Sequence, residues 1–125
     1  MNIKVDRMDD LHLLSCFLQG SITSQLWFKQ NQQTLKILIN RFCPEEGVKR
    51  CNAILQINHV VSLWKNFEND NSFKVIIAMI MQDSDKILIT CSDGCKFLIK
   101  VLDISLAVSD ISHKWFGKSL DILYN

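Results

Sequence analysis

The sequence has little proline and glycine, no long apolar run and no excess of charge of one sign. One proline and four glycines in 125 residues argue against a linker or a low-complexity segment. The longest apolar run, residues 75–81, is far shorter than the roughly 20 residues that a membrane-spanning helix needs. We therefore predict a buried strand over this run and no association with a membrane.

The N-terminal residues and the cysteines indicate a cellular compartment. Asp6, Asp9 and Asp10 stand where a signal peptide requires an apolar stretch. The chain has five cysteines, an odd number, which favours reduced thiols over a framework of disulfides. We expect a cytoplasmic protein.

Recognisable catalytic motifs are absent as well. His12, His59 and His113 lie far apart, and none stands at the spacing of a known catalytic motif. No glycine-rich loop is present to bind a phosphate group. The sequence therefore indicates neither an enzyme nor a cofactor.

Four of the cysteines lie in pairs around predicted turns. Cys91 and Cys95 flank one turn, and they can hold zinc only if two of Cys43, Cys51 and His113 join them, since structural zinc sites have four ligands. Cys43 and Cys51 flank another turn, where a reactive thiol needs a lowered pKa. Because no CxxC or HxxxH pairing is present, we predict free thiols and no metal site.

The residues that are present predict one helix near the N-terminus, from Met8 to Gly20. Asp9 can accept hydrogen bonds from the amides of the first turn, and Gly20 can adopt the left-handed conformation that ends a helix. Apolar residues recur there at helical spacing. They are Leu11, Leu13, Leu14, Phe17 and Leu18.

Alternation of apolar and polar residues follows this helix and predicts strands. The alternating segments are 22–30, 34–42, 48–64 with a break at Asn58-His59, 73–82, 86–91 and 95–101. After Val101 the inward-facing set shifts by one residue, which indicates a bulge or a corner. The shifted set is Leu102, Ile104, Leu106 and Val108.

Together these segments predict a single α+β domain over residues 1–125. We expect an N-terminal helix followed by a curved antiparallel sheet or a partly open barrel of six to eight strands. A pleckstrin-homology-like barrel is one form of this architecture, and a short closing helix is predicted over Trp115–Tyr124. A domain of this size buries roughly two-thirds of the surface that its unfolded chain exposes.

Several short motifs resemble a known family. They are Asp9-Asp10-Leu11, Asn40-Arg41-Phe42, Val48-Lys49-Arg50, Gly94 before the strand Phe97–Val101, and Asp110 with Trp115. In these motifs the chain resembles the bacterial family named domain of unknown function 2948. It departs from the family pattern at Cys43-Pro44-Glu45, where an arginine and a tryptophan are expected. The resemblance implies a single-domain bacterial cytoplasmic protein without an assigned activity.

The sequence leaves three hypotheses for function. The first is a non-catalytic module that binds a protein or peptide partner at an exposed edge or groove. The second is a nucleic-acid-binding module on a basic strand face, with Lys36, Arg41, Lys49 and Arg50 contacting phosphates and Trp27 stacking on bases. The third is a small-ligand or catalytic site in the mouth of a barrel.

Arg41 has an alternative structural role. It can form a buried ion pair with Asp9, Asp10 or Asp110, and the sequence does not choose among these three partners. Nor does the sequence indicate an oligomeric state.

Overall fold

The computed structural model of the protein describes residues 2–42, 50–68 and 72–111. Within these ranges it contains one α-helix, two short 3-10 helices and one open antiparallel sheet of nine strands, in the spatial order β1-β9-β4-β3-β2-β6-β7-β8-β5. The elements are β1 (Asn2–Val5), α1 (Met8–Leu18), β2 (Ile22–Lys29), β3 (Thr34–Phe42), β4 (Arg50–Ile57), β5 (Val60–Lys65), β6 (Lys74–Asp83), β7 (Lys86–Cys91), β8 (Lys96–Val101) and β9 (Leu106–Asp110). The predicted α+β class is confirmed.

The structure corrects two details of the predicted fold, the element that comes first and the number of strands. A strand, β1, precedes the helix. The sequence did not indicate it, because four residues are too few to show a period and its partner β9 lies at the other end of the described chain. The predicted segment 48–64 divides at Asn58-His59, where His59 adopts a φ of 58°. The described sheet therefore has nine strands rather than six to eight, and it does not start with the helix.

The sheet curls without closing into a barrel. Strand β5 lies four places from β2 in the sheet, which would separate them by about 19 Å if the sheet were flat. The amide of Val60, at the start of β5, nevertheless donates to the carbonyl of Gln33 in the β2–β3 connection, at 2.8 Å. The edge strands β1 and β5 do not pair with each other, and the pleckstrin-homology-like form is not confirmed. The predicted C-terminal helix lies outside the described residues.

The helix packs on one face of the sheet, which we call the core face. Leu11, Leu14 and Leu18 are buried there, whereas Leu13 is 66% exposed. Arg7 rather than Asp9 occupies the N-cap position. Asp9 lies in the first turn, where its negative charge interacts favourably with the helix dipole. The helix has 11 residues, and no helix of the described ranges is long and apolar enough to cross a membrane.

The sheet face opposite the core face, which we call the outer face, is more apolar than predicted. Within the run 75–81 only Ile76 and Met79 are buried, while Ile77 and Ile80 are about half exposed. The prediction of a fully buried strand was therefore wrong. Leu102, predicted to face inward, is 70% exposed because residues 102–105 form the connection between β8 and β9 rather than part of a strand.

A seam separates β2 from most of β6. The two strands pair only at Ile22 with Val75 and at Thr23 with Lys74. Beyond this point the helix lies against β6, and the Ser15 hydroxyl accepts a hydrogen bond of 2.8 Å from the amide of Met79. The helix thus satisfies a strand amide that β2 does not reach.

Candidate functional site

Arg41 lies on the core face, where it forms a two-point ion pair with Asp110. Its Nε donates to Asp110 Oδ1 at 2.9 Å and its Nη2 to Oδ2 at 2.6 Å. Its Nη1 donates to the carbonyl of Phe42 at 2.6 Å, and the guanidinium lies 4.8 Å from the ring centre of Phe17 on the helix. Of the three partners considered from the sequence, Asp110 is the one that the structure pairs with Arg41.

This ion pair joins distant parts of the chain. Arg41 is 0% exposed, and β4 lies between the strands that carry the two partners. Burial acts to raise the pKa of Asp110, but hydrogen bonds and positive charge, including those of Arg41, outweigh it and hold this pKa below its usual range. Such buried geometry is typical of a structural pair, and Arg41 presents no exposed surface to a ligand.

The neighbouring motif residues lie on the outer face. Arg50 Nη1 donates to the backbone carbonyl of Asn40 at 3.0 Å and to its side-chain oxygen at 3.2 Å. Asn40 Nδ2 in turn donates to Asn52 Oδ1 at 3.0 Å. The Arg50 guanidinium lies 4.1 Å from the ring centre of Phe42, which also approaches Gly20. Arg50 is therefore engaged by a local polar network.

Beside this network the outer face contains a cavity of about 310 Å³, which we call the amide cavity. The described residues that line it are Ile22, Ser24, Asn40, Asn52 and Phe73. Ser24 and Asn52 are less than 10% exposed, whereas Phe73 at the rim is 69% exposed. The cavity thus combines buried polar groups with an accessible aromatic ring.

The five residues predicted to bind a ligand do not form one site. Trp27 and Lys36 are cross-strand neighbours on the outer face, and Arg50 lies on the same face near the other end of β3. Arg41 points to the core face, and Lys49 lies outside the described residues. The described basic surface is therefore smaller than the sequence suggested.

Sequence reasoning missed an apolar row on the outer face. Ile80 pairs with Leu88, Leu88 with Leu98, and Leu98 with Trp64, so four apolar side chains cross four adjacent strands. Ile80 is 50% exposed and Trp64 is 54% exposed, and the two leucines between them are partly exposed. A signal was available, because Leu88 and Leu98 each interrupt the alternation expected of a sheet with one solvated face.

The rows beside this apolar row carry mainly positive charge. On one side Asp83 pairs with Lys86, Lys86 with Lys100, and Lys100 with Ser62. On the other side Lys96 is paired with Thr90. Three lysines and one aspartate therefore border the four apolar side chains.

Neither the described cysteines nor Lys74, whose pKa is lowered, lines the amide cavity. Burial and, to a smaller extent, the nearby Cys95 raise the pKa of the Cys91 thiol to about 11. Burial lowers the pKa of Lys74, whose Nζ contacts the ring of Phe67 and donates to Ser72. No group of three potential metal ligands occurs within the described residues. Cys43 and His113, two of the zinc ligands considered from the sequence, lie outside them.

The described parts of the chain form an α+β fold built on an open antiparallel sheet of nine strands. The chain belongs to the family described as protein of unknown function (DUF2948), whose model matches residues 3–121. The resemblance to this family is thereby confirmed. No curated protein and no solved structure matches the chain.

Proposed function

We propose that this protein is a non-catalytic interaction module of the bacterial cytoplasm that binds an acidic amphipathic helix of a partner protein. The observation that carries the proposal is the apolar row of Ile80, Leu88, Leu98 and Trp64 on the outer face. Exposed apolar surface rimmed by polar groups is typical of interaction sites. Trp64 supplies the kind of side chain that dominates binding energy at interfaces.

The dimensions of the row favour a helix as the bound element. Three spacings between four strands give a length of about 14 Å. A helix rises about 1.5 Å per residue, so roughly ten residues cover this length with three apolar side chains on one face. Side chains at helical spacing can therefore pack between the four residues of the row.

The charges beside the row favour an acidic partner. Lys86, Lys96 and Lys100 border it, and the carboxylate paired with them in the described strands, Asp83, lies 3.5 Å from Lys86. Opposite charges on a partner speed association and fix its orientation. The net charge of +1 offers little attraction for an anionic membrane, so we propose a peptide rather than a lipid surface.

Site-specific photocrosslinking tests this proposal. A photoreactive phenylalanine analogue replaces Trp64 in one variant and the exposed Leu13 of the helix in another, and crosslinked partners are identified from bacterial cells. The segment captured only at position 64 is then synthesised, and its affinity for the purified protein is measured by calorimetry. We expect an acidic, helix-forming segment whose affinity falls at least about tenfold in Trp64→Ala.

Phe73→Ala is the matched control, since Phe73 is an exposed aromatic residue that directly precedes β6, about 23 Å along the chain from Ile80. It should leave the affinity unchanged, and added salt should weaken binding to the unaltered protein. Equal capture at positions 64 and 13, or equal affinity of Trp64→Ala and the unaltered protein, contradicts the proposal. The proposal is also contradicted if position 64 captures no protein segment and the protein binds anionic vesicles through Trp64.

Nucleic-acid binding is the second candidate, favoured by the neighbouring positions of Trp27 and Lys36 on the outer face. Stacking on Trp27 with phosphate contacts from Lys36 and Arg50 is the arrangement that it requires. Filter binding of single-stranded DNA and RNA at low salt tests it, with Trp27→Ala as the variant. Weak binding that the variant does not change removes this candidate.

A further inference from the structure

The amide cavity is formed at an irregularity of β2. Thr23 pairs with Ile39 and Gln25 with Leu38, so Ser24 is an extra residue that has no partner position on β3. Such bulges change the direction of a side chain and are frequent beside functional sites. Here the bulge places Ser24 in the wall of the cavity.

The Ser24 hydroxyl has hydrogen-bonding capacity that the protein does not use. The residue is 6% exposed, and its hydroxyl forms no hydrogen bond in the described part of the chain. The hydroxyl groups of buried residues are normally hydrogen-bonded, so this one, which belongs to a residue in the cavity wall, is suited to a ligand. Asn40 keeps a further acceptor site beside it, because its amide oxygen accepts one hydrogen bond, from Arg50, and can accept two.

We infer that the amide cavity binds a small, uncharged, planar ring that carries an amide-type donor and acceptor. No described residue of the lining is ionised, and the nearby Arg50 guanidinium already donates to Asn40 and contacts the ring of Phe42. A carboxylate would lose hydration and compete with these contacts, and an ammonium group would be repelled. Ile22 and Phe73 supply apolar contacts for the ring, and Ser24 and the two asparagines supply polar contacts for its edge. This inference does not depend on the proposed binding of a partner helix.

The cavity has the volume for such a molecule. An apolar cavity of about 150 Å³ accepts benzene, so about 310 Å³ accommodates a six-membered ring with a carboxamide substituent. A ring bound there would lie within reach of Phe73, whose side chain is 69% exposed. Stacking on a ligand would cover part of this aromatic surface.

Chemical-shift titration of the full chain tests the inference with five probes. Benzamide, nicotinamide and uracil are uncharged planar rings, while benzoate and benzylamine share the ring but carry a charge. We expect the uncharged probes to shift the amides of Ser24, Asn40 and Asn52 with dissociation constants near or below about 1 mM, a reasonable affinity for so few atoms. The charged probes should bind at least about tenfold more weakly.

Two variants and two controls identify the site. Ser24→Ala should weaken binding about fivefold, the effect of one hydrogen bond, and Phe73→Ala about tenfold. Ser62→Ala changes an exposed serine on β5, and Trp64→Ala changes the apolar row, so neither should alter the affinity. Amide spectra and melting temperatures verify that each variant is folded.

The inference is overturned if no uncharged probe produces a saturable shift up to about 10 mM. It is also overturned if Ser24→Ala and Phe73→Ala bind as tightly as the unaltered protein, or if the charged probes bind equally well. Because Trp64 is outside the cavity and Phe73 outside the apolar row, failure of this site and failure of the proposed partner site are separate results.

Discussion

Replacing Asp110 by asparagine should strongly destabilise the fold. The change removes the negative charge that faces the fully buried Arg41 and disturbs bonds of 2.9 and 2.6 Å. Hydrogen bonds to a charged group contribute about 1.5–3 kcal/mol each, and breaking a buried ion pair costs about 3–5 kcal/mol. Because asparagine keeps one oxygen acceptor, we expect Asp110→Asn to lower the free energy of unfolding by about 3 kcal/mol.

Urea unfolding followed by circular dichroism measures this loss. Asp83→Asn is the matched control, since Asp83 is 62% exposed and its Oδ2 lies 3.5 Å from Lys86 Nζ. The control should cost about 0.5 kcal/mol or less, as exposed pairs do. If the losses caused by the two substitutions differ by less than about 1 kcal/mol, the buried pair contributes no more stability than an exposed one.

The same pair predicts a dependence on pH. The pKa of Asp110 is lowered in the folded state, so the stability that its ionised form supplies is complete above the unfolded pKa of about 4. It is lost as the pH falls further, through the folded pKa. The difference in unfolding free energy between the unaltered protein and Asp110→Asn should therefore shrink below about pH 4. A constant difference down to acid unfolding would exclude Asp110 as the titrating group.

Three further outcomes follow from single positions. Gly20→Ala should destabilise by about 1–2 kcal/mol, because Gly20 has a φ of 85° and an added Cβ would lie 3.1 Å from Phe42; an unchanged urea midpoint would contradict this. Ser21→Ala should stabilise by about 1 kcal/mol, since this hydroxyl is buried and has no hydrogen-bond partner among the described residues; a loss of stability would contradict this. At pH 8 a thiol reagent should label the exposed Cys16 much faster than Cys91, whose pKa burial raises to about 11; equal rates, measured by mass spectrometry, would refute this burial.

Local patterns in the sequence predicted the local parts of the fold. Leu11, Leu14 and Leu18 indicate the helix because their spacing places them on one face, and this face is buried. The hairpin of β7 and β8 is equally local, since its strands are joined by a short turn in which Asp93 adopts a φ of 59°. Both features depend on residues that are close in sequence.

The missed features depend on contacts between distant residues. Periodicity indicates which face of a strand a side chain occupies, but it does not indicate which strands are neighbours. For this reason the sequence could not decide which of three aspartates pairs with Arg41. The apolar row could not be predicted either, because it depends on the registers of four strands. Ser24 gave no signal because a bulge is visible only when β2 is aligned with β3.

The position of β9 sets an order of events during protein synthesis. This strand lies between β1 and β4, so segments from the beginning, the middle and the end of the described chain must meet. Until residues 106–110 leave the ribosome, β1 has no strand to pair with and β4 presents an open edge. A nascent chain of this protein therefore carries two unpaired edges from the emergence of β4 until the emergence of β9, and such edges favour aggregation.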